Sequence, residues 1–178
     1  GFPGRGAPLA ATQWEDPRVV SVVVMRDPIA RLLAGTGYFR HAFGKRKPEE
    51  LDRDAWWEYA RSAQTDNYAL RIFTADRGCC AGRETERRHL EAAKALLRRV
   101  TYVLDLACLE AGMRALGEEL GIEPQIGKGE GDAAHQHLSN QERIGHADVY
   151  EYLVDKNKLD IELYEWSKSL ALVDCASL

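Results

Sequence analysis

No stretch of this sequence has the form G-x-x-x-x-G-K-[ST], so the commonest phosphate-cradling loop is missing from it. A kinase-like nucleotide binder therefore fits poorly. Apolar runs are short, and none approaches the roughly 20 residues that a membrane-crossing helix needs. Basic residues are not in excess: 24 Lys and Arg face 28 Asp and Glu, for a net charge of −4. That balance excludes the basic footprint of a nucleic-acid binder, although a local basic patch for an anionic ligand remains compatible with it. Cysteine is scarce, and the spacing of the four cysteines matches no zinc site. His135, His137 and His146 share a polar region at a spacing that favours solvated side chains over metal ligands. There is no internal repeat.

What is present is the composition of an ordinary folded chain, with 45% hydrophobic and 29% charged residues in 178 positions, about one domain. Its most informative stretch begins at Arg18. Arg18 to Met25 is a β-branched apolar run of strand length, the pattern of a strand covered on both faces. Asp27 is a good helix N-cap, and Pro28 suits the first helical position because its missing N–H would be unsatisfied there anyway. Arg26 sits between the two, where a planar guanidinium can fork to phosphate oxygens. The arrangement points to a phosphorylated ligand at the carboxyl edge of a parallel sheet, the usual ligand position in open α/β folds. A strand–helix turn with a surface arginine is the plain alternative. Arg31 likewise has a plain alternative, a salt bridge with an acidic residue.

Periodicity sets the remaining organisation. Arg40 to Lys47 reads as a basic loop, and Pro48 to Ser62 as a helix carrying Trp56, Trp57 and Tyr59. Asn67 to Thr74 reads as a short helix. Glu84 to Arg99 is a charged helix with Leu90, Ala93, Leu97 and Val100 on one face. Thr101 to Leu106 reads as a second buried strand, and Glu110 to Leu120 as the helix after it, ended by Gly121. Two strand–helix units, at 18–37 and 101–120, predict a parallel sheet. Residues 122–140 read as a loop or lid, including the glycine cluster Gly127 to Gly131, and helices at 141–156 and 160–172 close the chain.

Three segments resemble one family. Arg26-Asp27-Pro28-Ile29-Ala30-Arg31-Leu32-Leu33-Ala34-Gly35-Thr36-Gly37-Tyr38 resembles the 3′-phosphate-binding segment, Arg-x-Pro-x-x-Arg-x-x-Ser-x-Tyr, of the Golgi-type carbohydrate sulfotransferases. Asn67-Tyr68-Ala69-Leu70-Arg71-Ile72-Phe73 is similar to that family's Asn-x-x-x-Arg-Phe block. Asn157-Lys158-Leu159-Asp160-Ile161-Glu162-Leu163-Tyr164-Glu165-Trp166-Ser167-Lys168 is similar to its closing helix. The three occur in the family's order.

The resemblance implies a partial P-loop-like three-layer α/β fold, with parallel strands flanked by helices and a helix-rich C-terminal half, in a single partial domain over 1–178. It implies transfer of a sulfuryl group from 3′-phosphoadenosine-5′-phosphosulfate (PAPS) to a hydroxyl, usually of a glycan. Arg26 would bind the 3′-phosphate. Ala34 stands where the family carries a serine on the same phosphate, and Thr36 is the nearby hydroxyl that would substitute. The family's 5′-phosphosulfate loop would lie upstream, so the chain is expected to be the C-terminal part of a Golgi enzyme held in the membrane by an N-terminal anchor. The expected catalytic base has no strong candidate: Glu15 reads as a solvated loop residue, and His41 is a weak one. Arg40, Lys45, Arg46 and Lys47 would suit an anionic sugar, or be a solvated face. Trp56 or Trp57 would stack a sugar ring, the other being core. A Golgi lumen would permit Cys79 or Cys80 to bridge to Cys175, with Cys108 a buried free thiol. The alternative function is a non-catalytic nucleotide- or glycan-binding module derived from this fold.

Overall fold

The computed structural model describes residues 18–34, 37–74, 86–124 and 138–178. Thr36, Cys79, Cys80, His135, His137, Glu15 and the glycine cluster at 127–131 lie outside these ranges. The chain is a mixed α/β, helix-rich structure built on two parallel strands. Strand β1 is Val22–Met25, followed at once by helix α1, Pro28–Leu32, and then by α2, Gly37–Phe43. Helix α3 is Arg53–Arg61, α4 is Tyr68–Phe73 and α5 is Arg87–Leu97. Strand β2 is Tyr102–Asp105, and α6 is Leu109–Leu120. Helices α7 (Asn140–Ile144), α8 (Ala147–Lys156) and α9 (Lys158–Ser167) complete the described chain.

The strands pair in parallel, Val22 opposite Tyr102 through to Met25 opposite Asp105, as the two strand–helix units predict. Beyond β2, Ala171 bridges to Val103, and the Leu172 N–H donates to the Val103 carbonyl at 2.9 Å. The C-terminal segment thus covers the outer edge of β2. The expectation of a first strand buried on both faces is corrected among the described residues. Val20, Val22 and Val24 are 48%, 42% and 47% exposed. The reason is coverage: α6 packs over β2, where a Cβ at Gly112 would come within 3.3 Å of Leu104, and leaves the β1 side of that face open.

Several helices are shorter than periodicity predicted, each for a local reason. The helix expected through residue 37 stops at Leu32, with Leu33 as its cap. The expected basic loop is partly helical, because α2 includes Arg40 and runs to Phe43. Pro48 to Ser62 divides into a 3-10 turn, Pro48–Glu50, and α3, because the Asp52 carboxylate caps the Ala55 N–H at 2.8 Å. The helix expected at 141–156 breaks between α7 and α8 at Gly145 and His146. Gly121 ends α6 in the left-handed region, as predicted.

Two apolar clusters form the interior. One gathers Ile29, Leu32 and Leu33 with Phe39, Trp56, Tyr59, Ile144, Val149 and Leu153. The other gathers Met25, Leu70, Leu90, Ala93, Leu97, Val103, Leu163 and Tyr164, and so contains the face predicted for α5. Helix α9 serves both, since Ile161 packs on the first while Leu163 and Tyr164 belong to the second.

The reading of Cys108 as a free thiol is overturned by a disulfide between Cys108 and Cys175. The bond ties the turn after β2 to the C-terminal segment that covers the strand's edge. Apolar neighbours in sequence suggested burial, yet Cys108 lies only half-buried at the chain's return. With the partners 67 positions apart in sequence, closing this loop in the unfolded chain is worth about 4 kcal/mol. Mild reduction, or Cys108→Ser, is expected to lower the urea midpoint by an amount equivalent to about 2–4 kcal/mol. An unchanged midpoint would show that the strap holds without the bond.

Candidate functional site

The site assembles at the carboxyl ends of the two strands. Met25 runs into Arg26 and Asp27, and Asp105 ends β2 beside them. Asp27 serves the structure through one carboxylate oxygen. Its Oδ1 accepts the Ala30 N–H at 2.6 Å, capping α1, and the Asn140 side-chain amide at 3.0 Å. Helix α1 has only 5 residues, so its dipole is small, and its first-turn donor is already occupied by a carboxylate. Anion binding here would therefore depend on guanidinium groups, not on the helix N-terminus.

Two of those groups line one cavity of about 150 Å³. Its other walls include Val24, Met25 and Pro28, the α4 residues Tyr68, Ile72 and Phe73, and Asp160 and Tyr164 of α9. Arg26 is half-buried and makes no hydrogen bond or ion pair among the described residues. Burial lowers its pKa, and Arg143 nearby lowers it further, while Asp27 pulls the other way. Arg31 is more deeply placed. Its guanidinium stands 4.4 Å from the Tyr68 ring centroid, and Nη2 lies 3.6 Å from Asp160 Oδ2. Nη2 is buried without a hydrogen bond, so the pairing is electrostatic. The salt bridge entertained for Arg31 is thus present, with a partner far along the chain.

Asp160 is the residue that organises this region. Its carboxylate is 1% exposed and accepts the Ala69 and Leu70 N–H groups at 2.8 and 2.9 Å. Those are first-turn donors of α4, which no helical carbonyl can satisfy. Burial pushes the carboxyl pKa up, and the two N–H groups and Arg31 oppose that shift. Around it the two remaining family-like segments interlock. Asn67, in the left-handed region at φ 38°, donates its N–H to Asn157 Oδ1 at 3.1 Å. Its own Oδ1 accepts the Asp160 N–H at 2.9 Å, and Asn157 Nδ2 donates to the Thr65 carbonyl at 2.8 Å. Arg71 is buried against Asp66, with Nε on the Asp66 carbonyl at 2.9 Å, and does not line the cavity.

Arg143 completes the basic surround. Its Nε donates to Glu49 Oε1 at 2.9 Å and its Nη2 to the Leu33 carbonyl at 3.4 Å. On the opposite flank, Tyr164 donates its hydroxyl toward both Asp105 oxygens, at 3.0 and 3.1 Å. Burial and the Asp105 charge raise the Tyr164 pKa, which keeps the phenol protonated.

The residues expected from sequence are only partly brought together. Arg26 is in the cavity. Ala34 lies just past the α1 cap and is half-buried, so it is not two turns into a helix as its spacing implied; Thr36 is outside the described residues. His41 is exposed on α2 and does not line the cavity. Trp56 is fully buried core, while Trp57 already carries the Arg61 guanidinium at 4.9 Å and Tyr152 at 5.1 Å. Arg143, Asn140 and Asp105 were missed, since no local pattern marks them. Asp160 had a signal: it stands three residues after Asn157, the cap residue of α9, a spacing that puts two polar side chains on one inward side. No known protein family, curated protein or solved structure matches this chain.

Asp160→Asn is expected to destabilise the protein by about 3–5 kcal/mol, because Arg31 loses its counter-charge while still buried. Arg31→Met should cost less, since the Ala69 and Leu70 N–H groups would still hold the carboxylate. Urea unfolding of both variants checks the order; a loss below about 1 kcal/mol for Asp160→Asn would remove Asp160 from this role.

Proposed function

We propose that this chain contributes the 3′-phosphate half of a PAPS site in a sulfotransferase that acts on a hydroxyl, most simply that of a carbohydrate. The observation that carries the reading is Arg26. It is a half-buried guanidinium at the carboxyl end of a parallel strand, in a cavity shared with Arg31, with no hydrogen-bond partner among the described residues. A desolvated, geometrically free guanidinium suits a phosphate dianion better than a lysine would, because it offers two parallel N–H donors. The Tyr68, Ile72 and Phe73 wall supplies apolar surface next to the two cations, the chemistry a nucleoside beside a phosphate would use. Ala34 is proposed as the flank of this phosphate site, with Thr36 as the hydroxyl that would serve it. The Leu33 carbonyl beside Ala34 holds Arg143, which lies within electrostatic reach of Arg26.

When bound, PAPS supplies an activated sulfuryl group with a nucleotide phosphate as leaving group. This chain's part is to hold the nucleotide by its 3′-phosphate and so fix the direction of transfer. His41, exposed on α2 outside the cavity, is the candidate for the base that takes the acceptor proton. A Golgi lumen is the compartment that accompanies this reading. The Cys108–Cys175 bond agrees with an oxidising one.

Titration calorimetry with 3′,5′-adenosine diphosphate tests the proposal. The bisphosphate is expected to bind at least tenfold tighter than 5′-AMP, and equal affinities would refute a 3′-phosphate site. Arg26→Ala should weaken the bisphosphate by about ten- to a hundredfold, the equivalent of roughly 1.5–3 kcal/mol for a charged hydrogen bond, and Arg26→Lys should recover only part.

Ala34→Ser should tighten the bisphosphate by a few-fold to about thirtyfold, by adding a hydroxyl worth about 0.5–2 kcal/mol. If Thr36 already serves that oxygen, Thr36→Val will weaken binding and Ala34→Ser will be neutral. Indifference of both positions would exclude this flank from the phosphate site.

A further inference from the structure

Helix α3 turns a charged face to solvent. Asp54 and Arg61 are seven residues apart, about two turns, so they stand near the two ends of one line along the helix. Trp57 and Glu58 flank that line at its middle. With Arg53 these residues line a broad depression of about 670 Å³, and all five belong to α3. Side chains of one helix cannot enclose a small molecule, whereas a ligand pocket surrounds most of its ligand's surface. The depression is therefore an open surface, suited to a partner as large as another helix.

Trp57 gives this face a rigid centre. It packs inward on the first apolar cluster, meets Tyr152 of α8 edge to face at 5.1 Å and carries the Arg61 guanidinium 4.9 Å from its ring centroid. Trp, Tyr and Arg are the residues that dominate interface energies. Arg53 is tied to Asp148, which holds α3 against α8. The charges on the outward line are not satisfied within the chain. Lys94, Lys158 and Lys168 each pair with a carboxylate three residues earlier. Arg61 has Glu58 at that same spacing, yet the two make no ion pair among the described residues. Asp54 also has no ionic partner among them, and it stands four residues from the like charge of Glu58, a mildly destabilising spacing.

We infer that this face of α3 pairs with the same face of a second copy of the chain, in an antiparallel two-fold contact. Reversing the helix about its midpoint brings each Asp54 opposite the other copy's Arg61. Both unpaired charges on the line are then met, twice over, and the two Trp57 rings lie at the centre. The charge order selects this occupant: an acidic end, an aromatic middle and a basic end are matched by the same order read backwards. A two-fold contact closes after one partner, as the commonest homo-oligomers do. Nucleic acid and anionic lipid surfaces would be repelled by Asp54 and Glu58. A sugar ring would have to compete with Arg61 for the Trp57 ring. A contact built on a helix of 9 residues belongs to the small, transient class of interfaces. It does not depend on the nucleotide reading, since none of the five residues lines the cavity of Arg26.

Sedimentation equilibrium of the whole chain tests this, with the variants Arg61→Glu and Asp54→Arg. The unaltered chain is expected to dimerise reversibly, and more weakly as salt is raised. Each variant alone sets like charges against each other at both contacts and should lose at least about tenfold in dimer affinity. An equimolar mixture of the two should recover to within about threefold of the unaltered chain, because every contact between unlike chains again joins a cation to a carboxylate. Mixing cannot rescue a variant that merely fails to fold, so recovery separates lost pairing from lost structure. A chain still monomeric at about 0.5 mM overturns the proposal, since even a weak specific contact would show there. So does a dimer that either variant leaves intact, which would rest on another face, or a mixture that stays monomeric. A monomeric chain that binds maltohexaose through Trp57 overturns it equally, by giving the face to a sugar.

Discussion

One buried carboxylate holds the two halves of this fold in register. Asp160 on α9 accepts both free N–H groups at the start of α4 and faces the Arg31 guanidinium on α1. The contact joins three segments distant in sequence. A two-strand sheet is a weak scaffold, with few residues paired. Apolar packing between helices is permissive about small slides and rotations. A carboxylate that must meet two particular N–H groups is not permissive. A buried ion pair is not in itself evidence of net stability. Here its effect is geometric: α4 cannot shift along α9 without leaving a charge and two donors unsatisfied. The Asn67–Asn157 exchange beside it adds the same demand with neutral groups.

That seam also explains how much was legible beforehand. Strand β1, the Asp27 cap and Pro28, the buried face of α5 and the Gly121 terminus all follow from patterns within a few residues, and all are present. Helix lengths were less legible, because the stops are made by single side chains such as Asp52, whose capping competes with continued periodicity. The open face of β1 was hidden for a different reason. A run of valines reads the same whether a helix covers it or not, and coverage depends on where α6 lands. The Cys108–Cys175 bond depends on the path of the last residues back to β2, which spacing alone cannot give. At the site, Arg26 was legible from its place between strand and cap. Arg143 and Asn140 reach it from a separate helix and carry no local mark.

The C-terminal segment and the site are mechanically related. Leu172 hydrogen-bonds to Val103, the disulfide pins the same segment to the turn after Asp105, and Asp105 receives the Tyr164 hydroxyl. Tyr164 then lines the cavity that contains Arg26 and Arg31. Each link is short, so the cavity wall formed by α9 is braced from the far edge of the sheet. A site built on such a wall has little freedom to adjust, which favours preorganisation over induced closure.

The distribution of charge around the cavity carries the functional argument one step further. Three guanidinium groups, Arg26, Arg31 and Arg143, lie close enough for Arg26 to feel repulsion from Arg143 and for Arg31 to feel it from Arg26. Two of the three have dedicated carboxylates, Asp160 for Arg31 and Glu49 for Arg143. Among the described residues the third has only Asp27 beside it, and that carboxylate is already turned to the Ala30 N–H and the Asn140 amide. Purely structural arginines are expected to be paired one to one, because an uncompensated, partly desolvated cation costs stability and returns nothing. Placing the least-paired cation at the strand end, inside a cavity and beside two others that are only just neutralised, is the arrangement that an incoming dianion stabilises most.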